Sequence, residues 1–138
     1  MTMYVWALIL LAINGACTDR DILESKAGVR LPAVTGLALQ ATAQTVQLSW
    51  DLPSGLPAEI EQPVSVYIQV NEIINPARSL TVFSTILPDA PTSFSYEIPD
   101  GSKKYNFTVK LYGRTKMPDV NYHSGEIYSE GRTVSYSP

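Results

Sequence analysis

The stretch "TVQLSW", residues 45–50, decides the fold. Val46, Leu48 and Trp50 fall on one side of an extended chain, and Thr45, Gln47 and Ser49 fall on the other. This period of two is the signature of a half-buried strand, because successive side chains of an extended backbone point to opposite faces. The same alternation recurs on both sides of it. "VSVYIQV" (64–70) aligns Val64, Val66, Ile68 and Val70; "FSYEI" (94–98) aligns Phe94, Tyr96 and Ile98; "YNFTVKL" (105–111) aligns Tyr105, Phe107, Val109 and Leu111.

With "GLALQA", "SLTVFSTI" and "GRTVSYS" the expected strands number seven. The segments between them, "DLPSGLP", "NPAR", "LPDAPTS", "PDGSKK" and "MPDVNYHSG", carry the Pro, Gly, Asn and Asp of turns. Strands with no helical segment between them imply an all-β, antiparallel sandwich or barrel. The alternation assigns a core of Val46, Leu48, Trp50, Val66, Ile68, Tyr96, Tyr105, Phe107 and Val109.

Two longer stretches carry a resemblance. "LPAVTGLALQATAQTVQLSWDLP" resembles the opening of a fibronectin type III domain: a proline-led first strand, a Gly that permits a bulge, then a second strand ending in Trp and followed by Pro. "IPDGSKKYNFTVKLYG" resembles the later half, where a Tyr after a Pro/Gly turn begins a strand of alternating core residues. The resemblance spans Pro32 to Tyr136, within one expected domain of residues 32–138. It implies a seven-stranded, fibronectin type III or immunoglobulin-like β-sandwich in which Tyr105 is the corner tyrosine, its ring in the core and its hydroxyl on nearby backbone.

Ahead of this domain stands "YVWALILLAI" (4–13), ten apolar residues ending in small ones. That is half the length of a bilayer-spanning helix and suits the core of a signal peptide over residues 1–16. "NGAC" (14–17) resembles a bacterial lipobox, with Asn14 where Leu is usual and with no Lys or Arg ahead of the apolar run. The resemblance implies that Cys17 becomes the acylated first residue of the mature chain. The competing reading is a plain signal peptide and an incidental cysteine.

Cys17 is the single cysteine, so an exported chain has no internal disulfide partner for it, and acylation would use up the thiol. Asp19 and Asp21 resemble the surface-export signal of Bacteroidota-type lipoproteins. Residues 17–31 then read as a flexible tether. As a coil, Thr18 to Arg30 has a reach of roughly 20 Å.

Charge and residue inventory narrow the function. A net charge of -3 with scattered basic residues removes the field on which phosphate-driven nucleic-acid binding depends, so no nucleic-acid partner is expected. His123, the one histidine, lies in a turn-rich stretch; Glu59 and Glu61 lie in a loop between prolines; "PSGLP" lacks the helix of a phosphate loop. Metal sites need clustered ligands, so neither a metal nor a cofactor is expected. The remaining expectation is a non-catalytic lipoprotein of the outer-membrane surface.

It is anchored through Cys17 and acts by contact with another envelope protein; glycan binding in a polysaccharide-uptake system, and hydrolysis through His123, are the alternatives. The contact residues are expected in the segment 112–128, which gathers Tyr112, Arg114, Lys116, Tyr122 and His123, because Tyr and Arg concentrate binding energy at interfaces. Tyr128 is expected instead to pack beside the last strand. In the loop 51–63, Leu52, Leu56 and Ile60 either form an apolar tip or fold back over the core.

Overall fold

A computed structural model describes residues 28–116 and 125–138. Eight strands follow one another: β1 Thr35–Thr42, β2 Thr45–Asp51, β3 Ser65–Asn75, β4 Arg78–Leu87, β5 Ser93–Glu97, β6 Lys104–Arg114, β7 Glu126–Tyr128 and β8 Arg132–Tyr136. They form two antiparallel sheets. One has the order β1-β2-β5; the other has the order β4-β3-β6, with β7 and β8 both paired to the free side of β6. The sheets enclose one core, giving the fibronectin type III-like sandwich that the motifs imply.

The eighth strand is a division rather than an addition. β7 pairs with Tyr112–Arg114 of β6, and β8 pairs with Tyr105–Val109 of the same strand. Between them Ser129 turns inward. Its N–H donates to the Leu111 carbonyl at 2.9 Å, its Oγ accepts from the Leu111 N–H at 2.9 Å, and its hydroxyl donates to the Glu130 carbonyl at 2.9 Å. The seventh strand position is therefore occupied by a strand broken at a satisfied serine. Three residues are too few to show alternation, which is why the sequence counts this edge once.

Burial follows the alternation. Val46, Leu48, Val66, Ile68, Phe107 and Val109 are fully buried, and Trp50 and Tyr105 nearly so. Tyr96 departs from the expectation of a full core residue. It is partly buried, because β5 is an edge strand whose far side has no neighbour; its ring lies 5.2 Å from Phe83 and 5.7 Å from Phe107. Packing also begins earlier than Pro32. Leu31 is part of the core and Val29 rests against it, both within the stretch read as tether.

The loop after β2 folds back. Ile60 is fully buried and bridges to Thr115, while Leu52 and Leu56 pack on the core from its edge, so these side chains close the sandwich end and present no apolar tip. Gly36 sits at the bulge in β1, where pairing with β2 slips between Thr35 and Ala38. Its φ is 60°, and a Cβ there would lie 2.5 Å from the Asp51 carboxylate. Only glycine meets both demands without strain.

Tyr105 is the corner tyrosine. Its ring is buried and its hydroxyl donates to the Asp100 carbonyl at 3.2 Å, while Asp100 Oδ1 accepts from the Ser102 N–H at 3.0 Å and from its hydroxyl at 2.6 Å. Burial first, and then nearby Glu72, pushes the Tyr105 phenol above the ordinary tyrosine value; burial does the same to Tyr96.

A raised phenol holds its proton more tightly in the folded state than in the unfolded chain. Stability from these groups is complete below the unfolded value of about 10 and is lost as pH climbs through the folded values. Thermal unfolding should accordingly hold steady up to about pH 9.5 and decline steeply above about 10. Tyr105→Phe should flatten that decline, and an equal slope in the variant would refute the assignment.

Candidate functional site

A sandwich uses one face of each sheet for its core and leaves the other to solvent. On the five-stranded sheet the off-beat residues of the core alternation build the outward face, in rows set by register. One row is Ser65, Tyr112 and Tyr128; the next is Ile86, Tyr67 and Lys110; then come Ser84, Gln69, Thr108 and Thr133. The first two rows carry three tyrosines, Tyr67, Tyr112 and Tyr128. The others are polar, and Gln69, Asn71 and Thr81 bond to one another across β3 and β4 at 2.8–3.2 Å.

The rings of the aromatic end pack on one another. Tyr128 packs against Tyr112 with centroids 5.0 Å apart and meets Tyr67 edge-on at 5.7 Å and 82°. The Tyr112 hydroxyl donates to Glu126 Oε1 at 2.8 Å and accepts from Arg114 Nε at 3.3 Å; Arg114 Nη2 lies 3.5 Å from the same carboxylate oxygen. The bond to the Tyr112 hydroxyl, followed by the neighbouring phenol and Glu126, favours the charged guanidinium still further.

Desolvation, and then the same neighbours, raises the Tyr128 phenol. Beside this group a shallow cavity of about 280 Å³ is lined by Glu61, Pro63, Ser65, Tyr112 and Arg114 among others. The Glu61 N–H donates to the Arg114 carbonyl at 2.8 Å, which holds the returning loop against β6.

Of the residues singled out in the sequence, the structure brings Tyr112 and Arg114 together. Lys116 is exposed, with its N–H on the Glu59 carbonyl. Tyr122, His123 and Cys17 lie outside the described residues. Tyr112 does not face solvent: it is 8% exposed beneath Tyr128 and Arg114, whereas Tyr128 makes the expected cross-strand contact yet stays 46% exposed.

Sequence reasoning passed over Tyr67, Ile86 and Glu126. One signal was present, an aromatic at the polar beat of "VSVYIQV". Among the described residues, no group of three or more His, Cys, Asp or Glu is placed to hold a metal ion.

Solved structures with a similar backbone include three that match this chain at low identity. The fibronectin type III domain of human collagen XX is 16% identical, covering 81% of this chain and 98% of that one, with a TM-score of 0.48. The fibronectin type III domain of human fibronectin type III domain containing protein 3 is 17% identical, covering 83% and 93%, at 0.48. A redesigned β-sandwich protein is 15% identical, covering 77% and 88%, at 0.48. No curated protein sequence matches. A family model matches residues 17–136, and the chain belongs to that family, described as Domain of unknown function (DUF4945).

Proposed function

We propose that this chain is a non-catalytic binding module, held at an envelope membrane through acylated Cys17, that contacts a partner protein with the tyrosine end of its outward sheet face. One observation carries the contact. Tyr67 and Tyr128, with Arg114, are spent on the solvent side of the sheet, over the buried ring of Tyr112 and outside the core cluster. Tyr and Arg are the side chains that dominate interface energies, and rings already fixed against one another lose little freedom on binding.

Ile86, 44% exposed beside Tyr67, extends the apolar area across the face. Ring planes tilted by 45° and 82° offer no flat platform for a sugar, which favours a protein partner here. The anchor is supported by the lipobox resemblance, by the acidic residues after Cys17, and by a family match that opens at that residue.

The test is extraction of the acylated protein with mild detergent, identification of what accompanies it, and repetition with Tyr128→Ala and Ile86→Ser. Each variant should reduce recovery of the partner about tenfold or more without moving the thermal midpoint by more than a few degrees. A partner retained equally by both variants would refute this surface.

A further inference from the structure

The opposite end of the same face carries different chemistry. Where the β3–β4 turn projects beyond β6 and β8, a concavity of about 560 Å³ is lined by Asn75, Arg78, Ser79, Lys104, Asn106 and Ser135 among others, with no carboxylate in its wall. The register explains the convergence: Asn75 pairs with Arg78 across the turn, Ile73 with Lys104, and Asn106 with Ser135.

Both carboxamides have their acceptor engaged internally. Asn75 Oδ1 accepts from the Ala77 N–H at 2.9 Å, and Asn106 Oδ1 accepts from the Ser135 hydroxyl at 2.7 Å. Each is thereby oriented with its Nδ2 donors left over. Among the described residues those donors have no partner, and neither Arg78 nor Lys104 joins an ion pair, the two pairs being Lys103–Glu72 and Arg114–Glu126. A chain with net charge -3 thus presents four donor groups, two of them cationic, around one open concavity.

We propose that this concavity binds an acidic polysaccharide through its uronate carboxylate. The oriented carboxamides and the two cations meet the carboxylate, since charge-assisted bonds are about twice as strong as neutral ones. Ser79 and Ser137, which both donate and accept, and Ser135, whose oxygen still accepts while its proton goes to Asn106, suit sugar hydroxyls, and Ile73, Pro76 and Ala77 offer an apolar strip to the C–H face of a ring. The site is shallow and lacks the apolar pocket in which a peptide anchor would bury. It is separate from the tyrosine end and stands or falls independently of the partner proposed there.

The experiment measures binding of the detergent-solubilised full chain to tetragalacturonate, its methyl ester, tetraglutamate and acetate. Tetragalacturonate should bind, and binding should weaken at least about tenfold in Arg78→Ala/Lys104→Ala and again when salt rises from about 50 to about 500 mM. The methyl ester should bind at least about tenfold more weakly. Asn75→Asp keeps the acceptor for Ala77 and replaces a donor by a charge, so it should weaken binding comparably while leaving the fold intact.

Undetectable binding, an unaffected double variant, or a methyl ester as tight as the acid would each overturn the proposal. Tetraglutamate binding as tightly would identify an acidic-peptide site instead, and acetate competing at equal concentration would reduce it to a general carboxylate site.

Discussion

Replacing Trp50 by Ala should cost the domain about 3–5 kcal/mol, the range for truncating a buried large aromatic. The indole is 3% exposed at the end of β2, where its loss leaves a cavity. It also makes a bond that Ala cannot. Nε1 donates to the Pro91 carbonyl at 2.9 Å, and the Trp50 N–H donates to the Thr92 carbonyl at 3.0 Å, so the residue ties β2 to the segment leading into β5.

Trp50→Phe keeps the backbone bond and most of the apolar contact but leaves the Pro91 carbonyl without its donor, at about 1–2 kcal/mol. Since small domains have about 5–15 kcal/mol in all, the Ala variant should be close to unfolding at growth temperature. Urea unfolding followed by tryptophan-independent far-ultraviolet circular dichroism measures both. Ile74→Ser, on a side chain 47% exposed, provides the comparison and should change stability by no more than about 0.5 kcal/mol. A Trp50→Ala loss as small as that would remove Trp50 from the core.

Cys17→Ser should move the protein from the membrane pellet to the soluble fraction. A buried methylene contributes about 0.8 kcal/mol and a single acyl chain holds only reversibly, so the several chains of a bacterial lipoprotein make attachment effectively permanent and their removal all-or-none. Fractionation reads the position of the chain, and mass spectrometry of the wild-type N-terminus reads its modification. A wild-type chain that is soluble and carries a free thiol would end the envelope reading while leaving the sandwich and both face proposals intact. Among the described residues no helix is long and apolar enough to cross a membrane.

The core was legible because its signal is local. Val46, Leu48 and Trp50 announce their face within six residues, and the same holds for β3 and β6; the corner at Tyr105 was implied by the fibronectin type III resemblance, and the bond to Asp100 completes it. Edge effects were not legible in this way. Tyr96 keeps the right beat but lies on an edge strand, and Glu126–Tyr128 is too short to have a beat at all. Leu52, Leu56 and Ile60 left two outcomes open in sequence, and the bridge from Ile60 to Thr115 chose between them.

What the amino-acid order determined by itself was the class of fold and the inward set of side chains, since period-two alternation and turn chemistry act between near neighbours. The outward face was decided only by tertiary pairing. Tyr67 and Tyr128 stand 61 positions apart by their numbers, and Asn75 and Ser135 stand 60 apart, yet register brings the first pair into ring contact and lines one concavity with the second. Cross-strand neighbours depend on which strands adjoin and in what register, and no local pattern encodes that choice.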